Sequence, residues 1–196
     1  MDIGGYLSGI GTVDLLLILY FIGFFVLGFA QGTIRRLLGL GSILFSFLLA
    51  VNLAAPLGEF LGTNWTQFPR AYSYMVGFLT VFVASSIAFA LVIQGFYQPQ
   101  PLFKKARFAD EIIGALLGLV QAALILGAFI IILDSFFRIP GIPADPQELP
   151  FLRTIWEALN TTKFVELFRD TLIPAFFALT GLFIPDTIKA NYASAF

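Results

Sequence analysis

The chain has 196 residues, of which 59% are hydrophobic and only 12% are charged, with a formal net charge of −1 and a mean hydropathy of +0.92. Because a soluble domain carries about 25% charged residues, this composition indicates an integral membrane protein, and the near-neutral charge speaks against nucleic-acid binding. The sequence contains no cysteine and no histidine, which removes thiolate chemistry and the commonest general base and metal ligand. We therefore expect no cofactor and neither a conventional hydrolase nor a metalloenzyme, which leaves carboxylate-based or lysine-based catalysis as the enzymatic alternative.

Two apolar segments near the start of the chain, uncharged over 15–30 and 37–55, are joined by a short basic turn at 32–36. The first segment predicts a helix over 10–30, and the second predicts a helix over 37–55 that ends at Pro56. Each segment has about 20 residues, which at ~1.5 Å per residue cross a hydrocarbon layer of ~30 Å. The two segments and their turn therefore predict a transmembrane helical hairpin.

A second pair of apolar helices is predicted over 74–93 and 112–133, after a loop at 57–71. The turn of the first hairpin and the polar segment 94–111 contain most of the nearby basic residues: Arg35, Arg36, Lys104, Lys105 and Arg107. The loop at 57–71 contains only Arg70. By the positive-inside rule, both basic connections are expected in the cytoplasm and both termini outside it.

Residues 136–196 are predicted to form a separate extracytoplasmic region. Four prolines make 139–150 a stiff linker, and apolar residues at helical spacing over 152–168 predict short amphipathic helices on the outer membrane surface or on the bundle. The apolar stretch 173–184 would be about 18 Å long as a helix, which is too short to span. We expect it to be interfacial or re-entrant, with a fifth span as the alternative.

Residues 1–135 are therefore predicted to form an all-α integral membrane four-helix bundle made of two hairpins. The segments 29–40 and 108–119 share a Phe-Ala start and a Leu-Leu-Gly-Leu end, and both enter the membrane from the same side. This similarity suggests a parallel repeat of the hairpin, although chance matches are common in a chain rich in these residues.

Polar groups inside or at the edge of the predicted spans are the candidate functional residues. Asp14, Ser85, Ser86 and Gln121 could line a polar path through the bundle. Two of them also have an ordinary structural explanation: Gln121 can bond a neighbouring helix, and Asp14 can lie in headgroup water.

Six residues near the ends of the first and last spans form a pattern: Asp14, Gly32, Arg35, Asp110, Gly114 and Gly118. An aspartate opens the first helix, a glycine and an arginine form the turn after it, and a second aspartate precedes G-x-x-x-G in the last span. Over about 10–135 this pattern resembles the colicin V production protein (CvpA) family of bacterial inner-membrane proteins. The chain departs from the charges of the family pattern at four positions: Gln31, Arg36, Glu111 and Gln121.

The resemblance implies a non-enzymatic, multi-pass protein of the bacterial cytoplasmic membrane that supports toxin production or secretion, or envelope homeostasis. Its helices would act as a packing scaffold. The expected partners are the lipid bilayer, further copies of the chain, and a secretion or envelope protein, but no nucleic acid. The alternative is a small oligomeric channel or transporter in which Asp14 and Gln121 line the path.

Overall fold

The computed structural model describes residues 11–65, 72–97, 106–137 and 150–180, and these ranges contain helices but no β-strand. Three helices are long and apolar enough to cross a membrane: α1 (Thr12–Asn64), α2 (Ser73–Phe96) and α3 (Arg107–Phe137). Three shorter helices follow, with a π-helical turn at Phe168–Leu172 before the last: α4 (Pro150–Asn160), α5 (Lys163–Leu167) and α6 (Ile173–Thr180). The chain is therefore all-helical over the described residues, as predicted.

Gly32 divides α1 into a first arm, 12–31, and a second arm, 33–64, because its φ of 74° and ψ of 175° are not helical. In the first arm, the Tyr20 hydroxyl donates a hydrogen bond of 3.0 Å to the Ala122 carbonyl, whereas residue 28 lies against residue 114. Residue numbers in the first arm therefore fall as those of α3 rise.

The second arm runs along α3 in the opposite sense. The Thr33 hydroxyl donates to the Asp110 carbonyl at 2.9 Å, and Gly39 lies beside Gln121, so here both sets of numbers rise together. Since the two arms follow α3 in opposite directions, the chain reverses at Gly32. The turn predicted at 32–36 is thus reduced to a single non-helical residue.

The prediction that the second helix ends at Pro56 is wrong, because α1 stays helical through this proline to Asn64. Packing against α2 explains the continuation. A Cβ added to Gly77 would lie 2.8 Å from the Ala54 carbonyl oxygen, and one added to Gly58 would lie 3.0 Å from the Tyr74 Cα. This contact holds the turns on both sides of the proline, and neighbouring helices are what allow proline inside membrane helices.

Aromatic contacts align α2 with the second arm of α1. The rings of Phe47 and Phe78 are 5.8 Å apart, and those of Phe45 and Phe89 are 5.5 Å apart. Residue numbers fall along one helix as they rise along the other, so the two are antiparallel. Helices α2 and α3 contain the predicted spans 74–93 and 112–133 and extend beyond them at both ends.

The short helices α4 to α6, here called the docked tail, lie on the bundle, which was one of the two positions predicted for them. Phe168 and Ile173 are buried, and the ring of Phe176 packs 5.3 Å from that of Phe47. Several predictions lie outside the described residues: the Pro-rich linker over 139–149, the end of the stretch 173–184, and the basic residues Arg70, Lys104 and Lys105.

Candidate functional site at the Gly32 hinge

The point at which α1 reverses contacts the first turn of α3. Backbone with φ near +74° and ψ near 175° is adopted almost only by glycine, since a side chain there is strained by about 1–3 kcal/mol. A Cβ at Gly32 would also lie 2.6 Å from Oδ2 of the buried Asp110. The Thr33 hydroxyl fixes the same contact by donating to the Asp110 carbonyl. Gly32, Thr33 and Asp110 therefore form one unit, the Gly32 hinge.

Three glycines let the first arm of α1 approach α3 backbone to backbone. A Cβ on Gly114 would lie 2.5 Å from the Gly28 carbonyl oxygen and 2.8 Å from the Gly32 carbonyl carbon. A Cβ on Gly118 would overlap the Phe24 carbonyl oxygen, and one on Gly28 would overlap the Gly114 carbonyl oxygen. Small residues permit this approach in membrane helices, where close packing and hydrogen bonds drive association. We call Gly28, Gly114 and Gly118 the glycine crossing.

One turn beyond the hinge, Arg36 points into the bundle and is only 4% exposed. Its Nη1 donates a hydrogen bond of 2.6 Å to Oε1 of Gln121, and its guanidinium carbon lies 5.7 Å from the centre of the Phe24 ring. Its Nε is buried and has no hydrogen-bond partner within the described ranges. A buried cation is costly, and the amide oxygen and the ring face offset only part of that cost.

Four residues of the family pattern lie in the hinge and the crossing: Gly32, Asp110, Gly114 and Gly118. A model of the family described as colicin V production protein matches residues 13–172, which is the bulk of the chain. The chain belongs to the colicin V production protein family. No curated protein and no solved structure matches it.

The family match extends past the last long helix to Leu172 and so includes α4, α5 and the π-helical turn. The resemblance in the sequence covered only about 10–135. Since the match includes three long apolar helices, family membership and hydropathy together indicate a membrane-embedded protein. The match ends before α6, so it covers the docked tail only as far as the π-helical turn.

Of the other candidate residues, Asp14 lies far from the hinge and Arg35 lies at it. Asp14 accepts a hydrogen bond of 3.1 Å from the Gly11 backbone N–H and caps the start of α1. Tyr20, which bonds the Ala122 carbonyl, is six residues further along the arm. Asp14 is therefore ~9 Å along the arm from the level of Ala122. Arg35, the arginine of the family pattern, is half-buried at the hinge, next to the fully buried Arg36.

The two serines of the proposed polar path lie in α2. The Ser85 hydroxyl donates to the Val81 carbonyl of its own helix at 2.6 Å. The Ser86 hydroxyl is buried without a partner in the ranges that the structure covers. Gln121 is bound to Arg36, which makes it part of the hinge surroundings. The path itself stays a prediction.

A second buried polar cluster was not foreseen from the sequence. Asp134, which is 0% exposed at the end of α3, accepts hydrogen bonds of 2.7 and 2.5 Å from Nε and Nη2 of Arg169 and one of 2.9 Å from the Trp156 indole. A two-point arginine–carboxylate pair is among the stronger polar contacts in proteins. This pair joins the docked tail to α3. The only sequence signal was an acid directly after an unbroken apolar run.

The described residues contain no group of three or more His, Cys, Asp or Glu side chains that could hold a metal ion. The arrangement they do show has two parts: a glycine crossing next to a hinge that requires glycine, and a carboxylate that fixes the tail. Both parts set the relative positions of helices.

Proposed function

We propose that this protein is a non-enzymatic scaffold of the bacterial cytoplasmic membrane that supports toxin production or secretion, or envelope maintenance. The observation that carries the proposal is the glycine crossing, where α1 and α3 touch through backbone atoms and leave no space for a path between them. The Asp134–Arg169 pair adds a fixed outer surface by holding the tail against the bundle. Such a rigid surface suits a protein that positions a secretion or envelope partner.

In this proposal the chain crosses the membrane four times, as the two arms of α1, then α2, then α3. Support comes from the reversal at Gly32 and from the antiparallel packing of α2 on the second arm. The hinge and the start of α3 lie at one end of the bundle, because Asp110 contacts Gly32. This end is also rich in arginine, which favours a cytoplasmic position, with the docked tail and both termini outside.

Single cysteines test this orientation without background labelling, since the chain has none of its own. Ala106 and Asn160 are both exposed and lie at opposite ends of the predicted topology. We expect an impermeant thiol reagent to label Asn160→Cys in intact cells and Ala106→Cys only after permeabilisation. The reverse pattern would invert the orientation, and labelling of both from outside would refute the four crossings.

The scaffold itself is tested by complementation in cells that lack the native protein, with toxin secretion and detergent sensitivity as the readouts. We expect Gly118→Leu to abolish complementation, since it forces the crossing apart. Gly41→Leu serves as the control, because no atom lies within 4 Å of a Cβ there. Asp14→Asn should complement fully. Loss of complementation with Asp14→Asn, but not with Gly118→Leu, would contradict the scaffold.

A channel or transporter remains the second proposal, and the buried Arg36 favours it. An intramembrane ionisable side chain bonded to an amide is a common feature of transport pathways. In that case Gln121 and Asp14 would line a path between protomers of a homo-oligomer. Sensitivity of function to Gln121→Leu, at unchanged protein level, would support this alternative.

A further inference from the structure

A cavity of about 220 Å³ lies between the second arm of α1, α3 and the docked tail. The arm contributes Phe47, α3 contributes Gly127, and the tail contributes Phe168 and Ile173. All of the lining residues are apolar. The tail therefore forms one wall of a partly open space that is lined by apolar residues.

Gly127 keeps this space open. A Cβ added to Gly127 would meet only the Phe168 Cδ1, at 4.0 Å, whereas a Cβ on any glycine of the crossing would have several backbone atoms within 3.3 Å. Close packing therefore does not require glycine at this position. A larger side chain at 127 would project into the cavity and fill it.

The mouth of the cavity opens at the depth of the hydrocarbon layer. Val120 and Leu172 line the cavity and are 50% and 41% exposed, so they mark its edge. Val120 is ten positions after Asp110 and fourteen before Asp134, which places it ~15 Å and ~21 Å from these charged ends along α3. At that depth the medium around a spanning protein consists of lipid chains.

We propose that this cavity binds one acyl chain of a membrane phospholipid, an inference that rests on the membrane-spanning arrangement proposed above. An apolar cavity of this kind does not retain water, and cavities of about 150 Å³ already take up small hydrocarbons. The cavity has no polar group to orient a head group, so it selects a chain by shape and depth alone. The occupant enters sideways from the bilayer past Val120 and Leu172.

Binding of the acyl chain and docking of the tail are coupled, because the tail supplies one wall of the cavity. The Asp134–Arg169 pair holds that wall in place from the outer end of α3. An acyl chain in the cavity makes contacts with Phe168 and Ile173 that exist only while the tail is docked. The lipid therefore stabilises the docked position of the tail, and an undocked tail leaves the cavity without that wall.

Photolabelling tests the proposal in vesicles of phosphatidylethanolamine and phosphatidylglycerol that contain a phosphatidylcholine with a diazirine midway along one chain. After illumination, mass spectrometry locates the labelled residues. In the wild type we expect label in the peptide around Gly127 and Ala128, which are buried from the surrounding lipid. Gly127→Phe should lower this labelling several-fold, whereas Gly41→Phe, at an exposed position with open space, should leave it unchanged.

Three results would overturn the proposal: no label at Gly127 in the wild type, equal label in Gly127→Phe, or label there only from a free diazirine fatty acid. If Gly127→Phe does not fold, Val120→Trp obstructs the mouth from an exposed position and provides the same comparison. Extraction of the wild type by alkaline carbonate would instead refute the membrane placement. Cross-linking of Val120→Cys between protomers, without lipid label, would assign the mouth to a second copy.

Discussion

Replacing Gly118 by alanine should destabilise the protein through a single methyl group. The added Cβ would overlap the Phe24 carbonyl oxygen and lie 3.2 Å from its carbonyl carbon and 3.3 Å from the Gly28 Cα. Backbone atoms cannot rotate away as a side chain can, so the first arm of α1 must move off α3. Overpacking of this kind costs about 1–3 kcal/mol of unfolding free energy.

Gly41→Ala is the control, because it adds the same methyl group at a helical position of α1 where no atom lies within 4 Å. Alanine is the better helix former by up to ~1 kcal/mol, so this variant should be as stable as the wild type or slightly more stable. Gly118→Ala gains the same helix propensity, so the two variants should differ by the overpacking cost of about 1–3 kcal/mol.

Equilibrium unfolding in mixed micelles, with a rising fraction of sodium dodecyl sulfate, measures the difference between the two variants. The fluorescence of the two tryptophans, Trp65 and Trp156, reports the transition. If Gly118→Ala and Gly41→Ala unfold at the same detergent fraction, then the two helices do not approach through their backbones, and the reasoning about the crossing is refuted.

Three further changes test the polar contacts and the hinge by the same unfolding assay. Asp134→Ala leaves the Arg169 charge without its carboxylate and should cost about 3–5 kcal/mol, much of which the double change with Arg169→Leu should restore. Gln121→Leu removes the acceptor of Arg36 and should cost about 1–3 kcal/mol, whereas adding Arg36→Leu should recover stability; equal losses in single and double variants would argue against the bond. Gly32→Ala should cost at least about 1–3 kcal/mol, since it meets both a strained backbone angle and the Asp110 carboxylate.

The long helices and the position of the reversal could be predicted because they depend on local composition. An uninterrupted apolar run specifies a membrane helix by its length, and Gly32 beside two arginines marks the only break in the first run. The glycines at 114 and 118 were assigned to a family pattern, but their contact partner, the carbonyl of Phe24, was not predictable. The spacing of glycines along one helix does not indicate which backbone atoms of another helix will pack against them.

The end of the second helix was wrongly placed at Pro56 for a related reason. Proline removes one hydrogen bond and usually stops a helix, and that local rule was applied. In the structure, Gly58 and Gly77 each pack against the backbone of the partner helix, and these tertiary contacts keep the segment helical through Pro56. These contacts join residues in different helices, so the sequence around Pro56 does not contain them.

The burial of charge was the hardest feature to predict. Both arginines of the turn looked equivalent, and the direction of the chain after Gly32 decides that Arg36, rather than Arg35, faces the bundle. Similarly, nothing in the sequence indicated that Arg169 pairs with the buried Asp134. The two residues are separated by a Pro-rich linker, so no helical periodicity relates them.

The most direct test of the account is ion and solute flux in proteoliposomes made with the wild type and with the Asp14→Asn, Gln121→Leu double variant. Insertion and folding would first be verified for both proteins. The scaffold predicts that neither protein raises flux above that of empty vesicles. Flux through the wild type that the double change abolishes would contradict the scaffold and establish a conduit lined by these two residues.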